Sequence, residues 1–309
     1  MKMRPTLRQM EYVVTVQQCA SFGMAALRLR VSQPSLSNQI AAVEDELGIQ
    51  LFERGRHGVR ITPKGREFVD RARRILAEVQ NLRSAMARTL PFDGLLRLGV
   101  LPSIGPYLLP QMVQTLHMEQ PELRVIVREE NTLNLDEGMR SGRFDAIIST
   151  PEDHPDTRQF ILFRERLWAV LSHDHPLSRH AQIEADDLSS QRLLTLDSGH
   201  RLARIVYALA SQNGGIVSTD YEGTSLDSIL LMAATGAGVG IIPELFAKQQ
   251  AIYRNEVIVL PLMVPDADRS IGLLYPGHIT IDEGHLSLVQ RLQKAALSYG
   301  MTTYGSEGE

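Results

Sequence analysis

Cysteine is almost absent from this chain. Cys19 is the only one in 309 residues, which excludes an intramolecular disulfide. Long apolar runs are absent too, and none approaches the ~20 residues that a membrane-spanning helix needs. The first residues carry charge at Lys2, Arg4, Arg8 and Glu11 and lack the apolar core of about 7–15 residues that an export signal requires. These absences point to the cytoplasm, with no membrane partner. Catalytic signatures are missing as well. There is no G-x-S-x-G elbow and no phosphate loop. His173-Asp174-His175 has no cysteine or HExxH companion and reads as a solvated turn before Pro176 rather than a metal site. Gly236-Ala237-Gly238-Val239-Gly240 follows a helix and precedes a strand, the reverse of the dinucleotide fingerprint. No metal, no cofactor and no enzymatic activity are expected.

What is present is an ordinary globular composition, 43% hydrophobic and 22% charged, on a chain long enough for two or more domains. The net charge of -4 hides an asymmetry. Residues 1–90 hold 15 Lys+Arg against 8 Asp+Glu, a net of +7, while the remainder holds 17 against 28, a net of -11. A basic front on an acidic body is expected when only the front meets phosphate. Chance clustering of surface charge gives the same numbers.

Residues 22–41 read as two short helices joined by a tight turn, after a first helix over about 6–19. Ser21 caps the second helix and Ser32 the third. Pro34 fits the first turn, where backbone N–H groups have no partner anyway, and Gly48 ends the third helix. The leading edge of that helix is polar and uncharged: Ser32, Gln33, Pro34, Ser35, Ser37, Asn38 and Gln39. Gln and Asn match adenine through paired hydrogen bonds, and serines more often touch phosphate and set register. Double-stranded DNA is therefore the expected partner. Arg30 stands in the turn where many helix-turn-helix motifs have glycine. An ordinary α-hairpin shows the same apolar pattern, but residues 51–64 narrow the choice. Leu51–Arg54 and Val59–Thr62 form two short strands around Gly55–Gly58, a wing that aims Arg54, Arg56, Arg60 and Lys64 at phosphate or the minor groove.

Thr62 and Pro63 then open a long helix to about Leu90. Phe68, Ala72, Ile75, Val79, Leu82 and Met86 make a heptad seam. A single buried helix has the same stripe. Lying between two modules with nothing local to pack on, the helix reads as a dimer coiled coil that sets two recognition helices about one DNA turn, or a multiple of it, apart.

Beyond Pro91-Phe92-Asp93-Gly94 the pattern alternates strands (95–100, 123–129, 144–149, 167–171, 192–196, 217–221, 238–242, 270–275) with helices (near 106–118, 133–141, 200–213, 225–235, 284–298). That alternation predicts open parallel sheets. The chain crosses to a second subdomain near 164–167 and returns near 268–270, which makes a hinged cleft, and ligands of such folds bind at the carboxyl ends of strands. Ser103, Thr132, His200, Arg201, Thr224 and Ser225 fall at such ends or at helix starts. Helix N-termini suit anions, and Arg201 and Arg204 add a bidentate grip on a carboxylate. An anionic effector, such as an organic acid, is expected here. Plain capping by the hydroxyls and plain solvation of the arginines is the alternative.

Ala25-Ala26, Val31-Ser32-Gln33-Pro34-Ser35-Leu36-Ser37, Gln39-Ile40, Glu44-Asp45-Glu46-Leu47-Gly48, Leu51-Phe52-Glu53-Arg54 and Thr62-Pro63-Lys64-Gly65 together resemble the LysR-type transcriptional regulators, and the resemblance covers residues 6–298. It implies an α/β protein made of an N-terminal winged helix-turn-helix (1–62), a linker helix (63–90) and a regulatory domain (91–309). That domain would hold two Rossmann-like, periplasmic-binding-protein-like subdomains, I over about 91–164 and 269–309, II over about 165–268. The resemblance further implies a homodimer or homotetramer, a small-molecule effector and, for activation, contact with RNA polymerase. Leu98–Pro110, Leu193–His200 and Thr224–Leu226 look most like the peroxide-sensing OxyR-type members. Those carry a reactive cysteine directly after the position of His200. Here Arg201 stands there, and residues 205–216 hold no second cysteine. Thiolate chemistry needs a sulfur, so peroxide sensing by that route is excluded. A solute-binding or enzymatic body with an incidental helical appendage is the competing class, and oxidant sensing through the 11 methionines is a third.

Overall fold

The computed structural model describes residues 5–55, 58–87, 91–219 and 225–303. Two compact units are present, one over Met1–Thr89 together with Arg140–Arg143 and the other over Leu90–Met139 and Phe144–Glu309.

In the first unit, helix α1 (Leu7–Cys19) opens with a capping box in which Thr6 and Gln9 satisfy each other's backbone N–H groups. It buries Tyr12, Val13, Val14 and Val16, and half-buried Cys19 packs against the same core. Helix α2 (Phe22–Leu29) starts on Ser21 and buries Ala25 and Ala26. Arg30 ends α2 in the left-handed region at φ 54°, its N–H bonded back to the carbonyls of Ala26 and Leu27. A residue with a Cβ adopts that conformation at a cost of about 1–2 kcal/mol, so the turn closes without glycine. Helix α3 (Gln33–Leu47) is capped by Ser32 and ends on Gly48 at φ 64°, with Leu36, Ile40 and Val43 in the core.

Strands β1 (Phe52–Gly55) and β2 (Gly58–Ile61) pair antiparallel, Phe52 opposite Ile61. The Glu44 carboxylate ties α3 to this hairpin, accepting the N–H groups of Leu51 at 2.7 Å and Phe52 at 3.2 Å. Helix α4 (Pro63–Ala87) follows at once. Thr62 Oγ1 accepts the Gly65 N–H at 2.9 Å and donates to the Gln50 carbonyl at 2.7 Å.

The first half of α4 does have a local partner, contrary to expectation. Val69 and Ala72 are buried against the core, Phe68 and Leu76 partly so, and Arg73 reaches Gln17 of α1. Farther along the seam Ile75 and Leu82 remain 42% and 61% exposed. The side chain of Met86 and residues 88–90 lie outside the described set.

In the second unit, β3 (Leu95–Val100), α5 (Gly105–Glu119), β4 (Arg124–Glu129), α6 (Thr132–Arg140) and β5 (Ala146–Ser149) make one α/β half, with β3 parallel to both β4 and β5. Strand β6 (Thr157–Leu171) leaves it. Next come β7 (Ile183–Glu184), β8 (Arg192–Leu194), α7 (Arg201–Asn213), β9 (Ile216–Val217), α8 (Leu226–Ala234), β10 (Val239–Pro243), α9 (Glu244–Gln249) and β11 (Ile258–Met263). Strand β12 (Asp268–Pro276) returns, and α10 (Glu283–Ser298) packs on the first half. The main strand order is β4-β3-β5-β12-β6-β10-β8-β9.

The sheets are mixed, not purely parallel. β12 runs antiparallel to β5 and β6, and β6 antiparallel to β10 and β11. The reason is topological: a strand that carries the chain across and a strand that brings it back run in opposite directions side by side. β6 pairs with β12 from Thr157 to Arg166, then with β10 and β11 from Leu167 onward. Separate cores form on either side, one around Leu98, Ile147 and Leu273, the other around Val170, Leu193 and Ile241. Among the described residues no helix is long and apolar enough to cross a membrane.

Candidate functional site

The start of α3 presents one polar face. Ser32, Gln33, Pro34, Ser35, Asn38 and Gln39 are exposed and Ser37 is half-buried, while Leu36 and Ile40 point into the core. Ser32 Oγ accepts the Ser35 N–H at 3.3 Å, so this serine also works as the cap. Gln39 Oε1 accepts from Gln9 Nε2 at 3.1 Å, which fixes its orientation from α1. Gln33 and Asn38 make no protein hydrogen bond through their side chains in the described residues. Arg54 lies on β1, and Arg60 on β2 is exposed. The side chain of Arg54 and the whole of Arg56 lie outside the described set.

Between the two halves of the second unit is a cavity of about 210 Å³. It is lined by Ser103, Thr132, His200, Arg201 and Ser225, which the sequence singles out, and by Tyr107, Glu129, Asp227, Phe246 and Arg269, which it does not. Thr224 lies outside the described set. Arg204 faces a second, more open groove of about 400 Å³, which shares Arg201 and Arg269 with the cavity.

Ser103 Oγ accepts from Arg269 at 2.8 Å. Arg269 also meets Glu165 of β6, through Nε at 2.9 Å and Nη2 at 2.7 Å, with both side chains buried. Thr132 Oγ1 accepts the Arg201 N–H at 3.3 Å from across the cleft. His200 opens α7 but bonds no backbone group of it. Burial holds its imidazole below the ordinary range, Arg269 adds to that effect and Asp197 opposes it. Ser225 caps α8, accepting the Ser228 N–H at 3.2 Å.

Arg201 and Arg204 do not reach into open space. Both donate to Asp153 Oδ1, at 3.1 and 2.8 Å, and Thr150 Oγ1 donates to the other oxygen at 2.7 Å. Asp153 belongs to the first half and the arginines to the second, so this is a clamp across the cleft. Asp153→Ala should destabilise the second unit by about 2 kcal/mol, since hydrogen bonds between charged groups weigh more than neutral ones and the half-exposed Arg204 contributes least. Urea unfolding of the full chain measures it, and a change near zero would mean that the clamp carries no load.

Beside Asp153, the His154 ring bridges Ser149 Oγ at 3.0 Å and Asp136 Oδ1 at 3.2 Å. That connectivity imitates a hydrolase triad. Ser149 is fully buried and lines neither cavity, so the array fixes the turn that carries Asp153 rather than reaching a substrate.

A helix-turn-helix unit with a wing, joined to a two-lobed α/β unit with a cavity between its lobes, defines a ligand-responsive DNA-binding protein. Residues 7–66 match the family described as bacterial regulatory helix-turn-helix protein, lysR family, and residues 91–296 match the LysR substrate binding domain. The chain belongs to the LysR family of transcriptional regulators, which is not enzymatic. Within the family it is OxyR-like. It is 35% identical over 274 residues to a hydrogen peroxide-inducible genes activator of Dickeya chrysanthemi, covering 88% of this chain and 90% of that one. A full-length OxyR from Pseudomonas aeruginosa with a cysteine-to-aspartate change superposes with a TM-score of 0.74 at 31% identity, over 94% of this chain and 97% of that one. A hydrogen peroxide-bound OxyR of Corynebacterium glutamicum with a cysteine-to-serine change gives 0.60 at 30% identity, over 98% and 100%.

Proposed function

We propose that the start of α3 reads base edges in the major groove and that a small molecule in the interlobe cavity sets the regulatory output. The observation that carries the first part is the exposed, uncharged face of Ser32, Gln33, Pro34, Ser35, Asn38 and Gln39 on an N-terminal segment of net charge +7. Arg54, Arg56 and Arg60 serve phosphate. The exposed seam residues Ile75 and Leu82 support pairing of linker helices in a homodimer, or a homotetramer built from two, with RNA polymerase met during activation. An effector shifts the cleft between two states only through its differential affinity for them.

The anionic reading takes a narrower form than capping residues alone gave it. Its strongest anchor is Arg269, with Ser103 beside it; Arg201 and Arg204 are drawn toward Asp153 instead. A second reading is non-covalent peroxide binding, favoured by the hydrogen peroxide found on a relative whose cysteine is changed to serine. Cys19, in the core of the other unit, offers no thiol at the cavity.

Anisotropy titration of the chain's own upstream DNA against scrambled duplex tests the DNA reading. Log affinity should fall linearly with log salt, and Gln33→Ala should weaken specific binding by ~1–3 kcal/mol and relax the preference at one base pair. Equal affinity for both duplexes at every salt concentration would falsify it. The same titration with organic acids and with hydrogen peroxide separates the two effector readings.

A further inference from the structure

The interlobe cavity is lined by charge of both signs. Its cation is Arg269, with a side chain only 4% exposed. Nε and Nη2 are taken by Glu165 and Ser103, while Nη1 has no hydrogen-bond partner among the described residues. Tyr107 lines the same cavity, its ring edge-to-face with Phe246 at 6.3 Å. Burial, then Asp227, then Glu129 push the Tyr107 phenol up to about 12. Both carboxylates therefore lie within electrostatic reach of one hydroxyl. Glu129 has no ion-pair partner among the described residues, and Asp227 has only an exposed contact with Arg254 at 3.4 Å. Leu101, Leu196 and Leu226 line the apolar remainder.

A simple anion answers Arg269 but sets its charge in the same cavity as Glu129 and Asp227. An amine alone meets the two carboxylates but sets its charge against Arg269. Taking the cavity as the effector site, we propose that the effector is amphoteric: a small molecule whose acid group meets Arg269 and Ser103 and whose positively charged amino group meets Glu129, Tyr107 and Asp227. An ammonium beside the Tyr107 ring gains a cation–π contribution as well. A cavity of about 210 Å³ admits a short chain rather than a drug-sized molecule.

The test is calorimetry on the full chain with ω-amino acids of roughly three to six carbons, each against the acid that lacks the amino group. At least one amino acid should bind ~10-fold or more tightly than its partner acid. The preference should fall to parity in the Glu129→Gln, Asp227→Asn double variant, whose exposed side chains leave folding unaffected. Acids that bind as tightly as the amino acids overturn the amphoteric effector. If their binding is lost in the paired variant Glu165→Met, Arg269→Met, which removes both charges of the buried pair together, the effector cavity itself stands. Absence of binding by every amino acid at about 20 mM also overturns it, and leaves DNA recognition, read in its own assay, untouched.

Discussion

Glu165→Ala is expected to destabilise the second unit by about 3–5 kcal/mol, the range for breaking a buried ion pair at one partner. Glu165 is fully buried and Arg269 nearly so. Besides Arg269, the carboxylate accepts the Leu245 N–H at 2.9 Å, the amide that starts α9. Alanine leaves a cation without its counter-charge and an amide without its acceptor, both almost fully buried. The paired substitution Glu165→Met with Arg269→Met should recover most of the loss, because a buried pair contributes little net stability compared with apolar residues of similar volume. Unfolding in urea by circular dichroism reads both variants. A single variant that loses less than about 1 kcal/mol would mean that water reaches the pair. The paired variant also separates folding from signalling: it should fold and still fail to answer an effector that depends on Arg269.

Gly65→Ala should remove DNA binding by unfolding the first unit, at a cost of about 3 kcal/mol, the upper part of the range for overpacking. A Cβ on Gly65 would stand 2.2 Å from the Leu51 carbonyl oxygen and 2.7 Å from Ile61 Cγ1. The carbonyl cannot yield easily. It accepts the Thr62 N–H at 3.0 Å, and its own residue is held by Glu44 at 2.7 Å. Gly48→Ala provides the contrast. No atom lies within 4 Å of its Cβ position and only the left-handed φ of 64° opposes it, so about 1 kcal/mol is expected there. Thermal unfolding and promoter binding of the two variants should differ sharply. Similar losses in both would show that the joint between α4 and the hairpin relaxes.

The helices of the first unit were legible because caps and periodicity agree: Ser21, Ser32 and Gly48 sit where the chain changes direction, and Leu36 and Ile40 fall on one stripe. The first half of β6 was not legible. Arg164-Glu165-Arg166 looks like a solvated turn, and only the partner Arg269, 104 residues away, makes a buried glutamate tolerable in mid-strand. β11 was hidden by Pro261 in its middle, and α9 by its shortness. The cavity shows the same division. Ser103, Thr132 and His200 were found because strand ends and helix starts have local signatures. Tyr107, Glu129 and Asp227 have none, since what unites them is a meeting of lobes distant in sequence. Arg201 and Arg204 were placed at the right helix start, but their attachment to Asp153 depends on the other lobe.

Helix α7 has no cap of its own. The hydroxyl that completes its first turn, Thr132 Oγ1, comes from the opposite lobe, as does the carboxylate that gathers Arg201 and Arg204. Parting the lobes would therefore uncap a helix at the same moment as it breaks an ion pair. Opening would then be resisted by the loss of a cap as well as by electrostatics, which makes the first turn of α7 a reporter of whether the jaws are shut.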